Sequence, residues 1–277
     1  MHGVNLMTSV SLLHDLSRRY DQLAGNYDKL HRRWLSHAGG EAQAALEALV
    51  RALATPDSRF LDAGCGTGAL VRRLIAEGIS PDRMTLMDAS TAMLARCADI
   101  PARLSRGRLE ALPFGDEEFD IVTCAWALET VPDADMVLDE LSRVVRKGGV
   151  LCLTFCADMP RRGVTDFIMR KALLGRRTGQ FLSRNNVIHR LRSSGQFDVR
   201  AIPCSGPAAT LLARRTFAKR SDATLVPESP PIIVNPPESP RTLPFAYQLV
   251  ITKDNKCAVF IAKVTRRSRP GPTHNRG

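Results

Sequence analysis

The sequence predicts a doubly wound α/β fold: a mostly parallel seven-stranded sheet with an N-terminal helical cap and a C-terminal extension. Three observations carry this expectation. Short apolar runs alternate with segments of helical periodicity, the pattern of a parallel sheet covered by helices. The first such run opens into Gly64-Cys65-Gly66-Thr67-Gly68, and the second ends in an acid, Asp88.

Taken in order, Leu12, Leu13, Leu16, Tyr20, Leu23, Tyr27 and Leu30 recur at helical spacing until Gly39-Gly40, where a break is expected. A second helix is expected from about Glu41 to Ala54. Phe60 to Ala63 reads as a buried strand running into the glycine loop, and Leu70, Val71, Leu74 and Ile75 resume helical spacing up to Gly78. A strand from Met84 to Asp88, a helix capped by Ser90, a weaker strand near Ala102 to Leu109 and a strong strand from Phe119 to Thr123 follow. Val137, Leu138, Leu141, Val144 and Val145 mark a helix that Gly148-Gly149 ends before the strand Val150 to Phe155. Helices are expected near Thr165 to Leu174 and, capped by Ser183, near Asn185 to Ser193. Phe197 to Pro203 and Thr210 to Ala218 are joined too closely for a parallel crossover, so an antiparallel hairpin closes the sheet.

From Val226 to Pro244 seven residues are proline, which predicts an extended linker outside any sheet. Tyr247 to Thr252 and Cys257 to Val264 flank a hairpin turn, and the remainder reads as a disordered tail. The expected organisation is a helical cap (1–55), a core (56–220), a linker (221–245) and a basic tail (246–277).

An apolar content of 44% with 24% charged residues fits a folded globular chain and excludes collagen-like and disulfide-scaffold classes. No apolar stretch approaches the roughly 18 residues of a membrane span, and no basic-then-apolar leader opens the chain, so a cytoplasmic location is expected. Seven cysteines without a C-x-x-C pattern predict core thiols rather than a zinc site. Cys152 and Cys156 are the one pair that could be set beside a soft metal, and no metal is expected. Of the net +11 charge, +7 falls between Arg241 and Gly277, where eight basic residues face Asp254 alone. The body therefore needs no nucleic-acid partner, whereas the tail suits peripheral contact with an anionic membrane.

Strand-to-helix glycines let a ligand approach the backbone at the carboxyl edge of a parallel sheet, and an acid ending the second strand can accept both hydroxyl protons of a ribose. The spacing is G-x-G-x-G; the dinucleotide fingerprint would require a glycine where Ala69 stands.

Five ordered segments carry a resemblance: Leu61 to Gly68, Met87 to Ser90 with Met93-Leu94, Glu110 to Phe114, Phe119 to Val122, and Arg143 to Gly149. Together they resemble class I S-adenosylmethionine (SAM)-dependent methyltransferases, and within them the type 11 group that includes the ubiquinone and menaquinone biosynthesis C-methyltransferases. The likeness runs from about Tyr20 to Lys219 and implies a Rossmann-like methyltransferase fold with SAM as methyl donor. By position it implies that Gly64, Gly66 and Gly68 line the methionine part of SAM, that Asp62 orients its ammonium group and that Asp88 holds the ribose. Ala89 and Met93 would flank the adenine, the Leu109 backbone would meet its edge, and Cys124 would stand beside the cofactor at the end of the fourth strand. The family often has an acid where this chain has Arg108, which offers donors only, so Glu110 or a backbone carbonyl must substitute.

Tyr27 is a candidate lid over the methionine end and equally a core residue of an amphipathic helix. Trp126 and Glu129 sit where the acceptor should bind, Trp126 as an apolar wall. Glu129 is a candidate base, or a solvated carboxylate at a helix start; His31 could reach in from the cap, or lie on the surface. Asn235-Pro236-Pro237-Glu238 imitates an amino-methyltransferase motif but follows no strand. The leading expectation is an enzyme methylating a small, lipophilic acceptor such as a quinone precursor, lipid or secondary metabolite. The alternatives are methylation of RNA or protein, and a SAM-binding regulatory or assembly factor without catalysis.

Overall fold

This computed structural model describes residues 16–158, 180–204 and 206–217 in full, together with the backbone of 233–234, 245–251 and 257–263. The chain divides into two compact units, Met1–Thr224 and Leu225–Gly277.

In the first unit, helix α1 (described over 16–23) turns at 24–26 into α2 (Tyr27–Trp34), a single wide π turn (Leu35–Gly39) and α3 (Gly40–Leu53). The glycine pair does not break the helix, contrary to expectation. A Cβ on Gly39 would lie 2.5 Å from Trp34 Nε1 and 2.8 Å from Trp126 Cη2, so this glycine permits close approach of two indoles rather than a stop. The core then alternates β1 (Phe60–Ala63), α4 (Ala69–Ala76), β2 (Met84–Asp88), α5 (Thr91–Ala95), β3 (Arg103–Arg106), β4 (Phe119–Ala125), α6 (Ala134–Val144), β5 (Val145–Cys156), α7 (Arg184–Ser193), β6 (Phe197–Ile202) and β7 (Ala208–Arg215).

The strands form one sheet in the order β3-β2-β1-β4-β5-β7-β6, with β7 antiparallel to both neighbours. That is the mostly parallel seven-stranded sheet the sequence predicts. Leu61, Val122, Leu151, Leu153, Phe155 and Leu211 are fully buried against Val137, Leu138 and Leu141 of α6 and Val187 and Leu191 of α7. Each such side chain contributes about 1.5–3 kcal/mol through removal from water. Ser90, Asp133 and Ser183 cap their helices by accepting hydrogen bonds from the N–H groups of Met93, Met136 and Asn186.

One boundary moves. Val145 leaves the helix and pairs with Phe119, after which the register shifts until Ile121 meets Val150. Gly148 absorbs the irregularity at φ +76°, so the two glycines shape a bulge within β5 rather than preceding it. Cys152 and Cys156 are four residues apart on this extended strand, about 13 Å at 3.3 Å per residue, too far to share an ion. Among the described residues no group of three or more His, Cys, Asp or Glu side chains is placed to hold a metal, and no helix is long and apolar enough to cross a membrane. The helix expected near Thr165 to Leu174 lies outside the described residues.

The second unit holds a three-stranded antiparallel sheet, β10-β9-β8, of β8 (Ile233–Val234), β9 (Phe245–Ile251) and β10 (Cys257–Lys263). The hairpin is as expected, but the proline-rich segment does enter a sheet: Ile233 and Val234 pair with Val250 and Leu249. They do so as a two-residue edge strand, the one position in a sheet that neighbouring prolines tolerate. The Asn235 to Glu238 motif lies outside the described residues, but β8 directly precedes Asn235, contrary to the expectation that the motif follows no strand.

Candidate active site

The site forms at the carboxyl edge of β1, β2 and β4. After β1, Gly64, Gly66 and Gly68 all have φ between +55° and +75°, a region costly for residues with a side chain. They do different work. A Cβ on Gly64 would come within 2.7 Å of Ala127 Cβ, and one on Gly66 would meet the Tyr27 ring at 3.6 Å. Gly68 instead faces inward, where a Cβ would strike Ile100 at 2.6 Å.

Asp88 clamps the loop from the end of β2. Its Oδ2 accepts from Gly66 N–H and its Oδ1 from Ser90 N–H, both at 2.9 Å, leaving lone pairs for hydroxyl donors. Burial raises its pKa, opposed by those backbone donors. Asp62, directly across from Thr123 in the parallel pair β1/β4, accepts the Thr123 hydroxyl at 2.8 Å. Burial pushes its pKa up to about 6.

A first cavity is lined by Tyr27, Gly64, Gly66, Met87, Asp88, Ala89, Met93, Leu109 and Glu110, closed by Leu16, Ser17 and Tyr20 of α1. Of the residues expected at a cofactor, Tyr27, Gly64, Gly66, Asp88, Ala89, Met93 and Leu109 are thus brought together. Asp62, Gly68 and Cys124 are not on that wall. Cys124 alternates away from Thr123 into the hydrophobic core and is fully buried there. At the opposite end Arg108 and Glu110 both line the cavity, 3.6 Å apart. Glu110 Oε1 is buried with no hydrogen-bond partner among the described residues, an orphaned acceptor of the kind an amino group satisfies.

The cap docks on both loops through polar contacts that no periodicity announces. The Ser17 hydroxyl donates to Ala89 O at 3.1 Å, the Ser90 hydroxyl to Asp21 at 2.5 Å, and the Thr67 hydroxyl to Asp28 at 2.6 Å.

A second cavity of about 600 Å³ adjoins the first. Tyr20, Tyr27, Trp126 and Thr130 line both. Its remaining wall includes Leu23, Leu30, His31, Trp34, Glu129, Cys156, Gln180 and Phe181. Trp126 follows β4 in the left-handed region at φ +58° and is held there by Trp126 N–H donating to Thr154 O at 2.7 Å and its indole N–H to Gln43 at 2.6 Å. Left-handed backbone at a large side chain costs on the order of 1–3 kcal/mol and is typical of ligand clamps.

Both acid–base candidates differ from their surface alternatives. His31 stacks on Tyr27 with ring centroids 5.7 Å apart and presents its edge to Trp126. Burial lowers its pKa to about 4, which keeps the imidazole neutral. Glu129 is not a solvated carboxylate: it is 5% exposed, in a 3-10 turn over Leu128–Thr130. Burial pushes its pKa up to about 7. Burial also raises the pKa of both Tyr20 and Tyr27, so their phenols stay protonated. Phe167, Ile168, Met169, Leu173 and Leu174, in the helix expected near Thr165 to Leu174, lie outside the described residues.

A doubly wound sheet with a glycine loop, an acid ending β2 and a second, aromatic cavity beside the first is an α/β architecture with room for two ligands side by side. Residues 61–153 match the family described as "Methyltransferase domain". The chain is 35% identical over 155 residues to a ubiquinone/menaquinone biosynthesis C-methyltransferase of Methylobacterium nodulans, the match covering 52% of this chain and 58% of the relative. It is 30% identical over 158 residues to a demethylmenaquinone methyltransferase of Lactiplantibacillus plantarum, covering 51% and 62%. It therefore spans less than two thirds of the length of these relatives. A SAM-dependent methyltransferase of Thermotoga maritima shares the fold at a TM-score of 0.55 with 18% identity, over 71% of this chain and 98% of that one.

Proposed function

We propose that this chain transfers a methyl group from SAM to a small, apolar acceptor. The observation that carries the reading is the pair of adjoining cavities with a common wall of Tyr20, Tyr27, Trp126 and Thr130. One side has the glycine loop, Asp88 and the orphaned Glu110 oxygen; the other is aromatic and large enough for a ring-sized substrate.

When bound, SAM supplies an electrophilic methyl on a sulfonium sulfur. The chain's own residues do the rest. Asp88 would accept the ribose hydroxyls, Glu110 would accept from the adenine amino group in the place Arg108 cannot fill, and Ala89 and Met93 would pack on the ring. Gly64 and Gly66 admit the methionine end to the backbone. Asp62 stands behind them, and its carboxylate charge supports the ammonium group through the loop. Tyr20, Tyr27 and Trp126 exclude water where the two ligands meet, and holding reactants in such an enclosure is the larger part of what sulfonium transfer requires. The quinone-type activity of the relatives supports a lipophilic acceptor.

Incubating the full chain with methyl-labelled SAM and fractionated cell extract tests this. Label is expected in an organic-extractable small molecule. Label confined to RNA or protein would replace the acceptor reading, and no transfer despite SAM binding would favour a regulatory role.

A further inference from the structure

Among the described residues the acceptor cavity presents a polar atom without a hydrogen-bond partner. Glu129 Oε2 is buried and has no hydrogen-bond partner among the described residues. Its sister atom Oε1 accepts from Cys156 N–H at 3.3 Å, which fixes the carboxylate against β5. The residue lines the 600 Å³ cavity, whose other walls are largely aromatic and aliphatic. Leaving a buried oxygen unsatisfied is costly, the more so when it is charged, so its retention at a ligand wall calls for a donor supplied by the ligand.

We propose that Glu129 is a specificity-determining residue that accepts the hydrogen bond of a neutral hydroxyl on the acceptor, selecting hydroxylated aromatic molecules over carboxylates and phosphates. This rests on the cavity beside the glycine loop being the acceptor site. The flat shape of the ligand follows from the walls: the parallel Tyr27–His31 stack and the edge-to-face Trp34–Trp126 pair at 5.7 Å present ring faces and edges to the space between them. The sign of the selection follows from charge. The groups facing Glu129 are Tyr20 from α1, Tyr27 and His31 from α2, Cys156 from β5 and Cys124 from β4, all neutral near pH 7, with Arg19 exposed at the rim. A ligand carboxylate would bring a second negative charge to Glu129, and among the described wall residues the one permanent cation, Arg19, is exposed. A hydroxyl brings a proton. Because burial sets Glu129 to titrate near 7, its capacity as an acceptor grows across neutral pH.

The test uses 2-naphthol, 2-naphthoate and the full chain. Calorimetric titrations are run at pH 6 and pH 8 on the parent and on Glu129→Gln, with SAM affinity measured separately on the same preparations. The parent is expected to bind 2-naphthol about tenfold more tightly at pH 8 than at pH 6, the difference between a hydrogen bond to a charged and to a neutral acceptor. In Glu129→Gln that rise disappears, and 2-naphthoate, rejected by the parent at pH 8, becomes a ligand. Unchanged SAM affinity in the variant reports that it folds; should it not fold, the pH dependence of the parent decides alone. Absence of naphthol binding to the parent, a flat pH response, or naphthoate bound as tightly as naphthol by the parent overturns the proposal. Absence of SAM binding to the parent, with these naphthol responses intact, would instead overturn the methyl-transfer reading and leave the hydroxyl site standing.

Discussion

The two cavities differ in how they are made. The glycine-loop side takes its floor from consecutive strand, loop and helix segments between Phe60 and Glu110, with cap residues and Trp126 to Val131 closing it, and its central acid, Asp88, is held by nearby backbone N–H groups. The aromatic side draws Tyr20 and Tyr27 from the cap, Trp126 and Glu129 from beyond β4, Cys156 from the end of β5 and Gln180 from farther on. A local site depends on backbone geometry and a few fixed hydrogen bonds. A composite site depends on side-chain packing between distant elements, and it tolerates groups whose electrostatics are unfavourable without a ligand.

The largest expected effect lies on the local side. Gly64→Val places a branched side chain at φ +75° with its Cβ 2.7 Å from that of Ala127. Strain and overpacking together should cost about 3 kcal/mol, read as a lower urea midpoint. A change under about 1 kcal/mol would mean that the loop is not held rigidly and would erase the contrast.

Next, Asp88→Asn should weaken SAM binding by roughly 1.5–3 kcal/mol with little change in the second cavity, measured by calorimetry. Equal loss of SAM and naphthol affinity would show the two sides to be one cooperative unit.

The third sharpens the electrostatic difference. Glu129 has its folded-state pKa raised from 4.5 to about 7, so the folded protein holds a proton that the unfolded chain has already lost across that window. Stability contributed by the protonated form is present below about pH 4.5 and is lost as pH rises toward 7. Glu129→Gln removes this dependence. Relative to the parent, the variant should therefore gain on the order of 2 kcal/mol between pH 5 and pH 8 in urea denaturation, and a constant difference would contradict the buried position.

The smallest concerns the seam. Thr67→Val removes the 2.6 Å donation to Asp28 that ties α2 to the glycine loop. About 1 kcal/mol of stability should be lost, with hydrogen exchange increasing in α2 before the sheet. Uniform exchange throughout would mean that the cap and core open together.

Much of the local side was legible in the sequence because its signals are local. Glycines between a strand and a helix, an acid ending β2, and Ser90 and Ser183 before helices each act over a few residues. The composite side was legible only in part. Trp126, Glu129 and His31 could be named from their places relative to β4 and the cap, but their burial depends on α1, α2 and β5 converging, which no spacing encodes. Gly39-Gly40 misled for the same reason: its cause is a tertiary contact with two indoles, whereas the sequence offers only the helix-breaking tendency of glycine. At Val145 the helical period continued one residue past the helix, and pairing with Phe119 overrode it.

Gly39 lines neither of the two adjoining cavities, yet it sets how closely Trp34 and Trp126, both walls of the second one, can approach. A single added methyl group there must push one indole or the other aside while every residue on the cavity wall keeps its identity. Divergence among relatives of this chain can therefore change which molecules are accepted through a position that a comparison of wall residues alone would overlook. For an engineer, position 39 is a dial on substrate size set outside the chemistry.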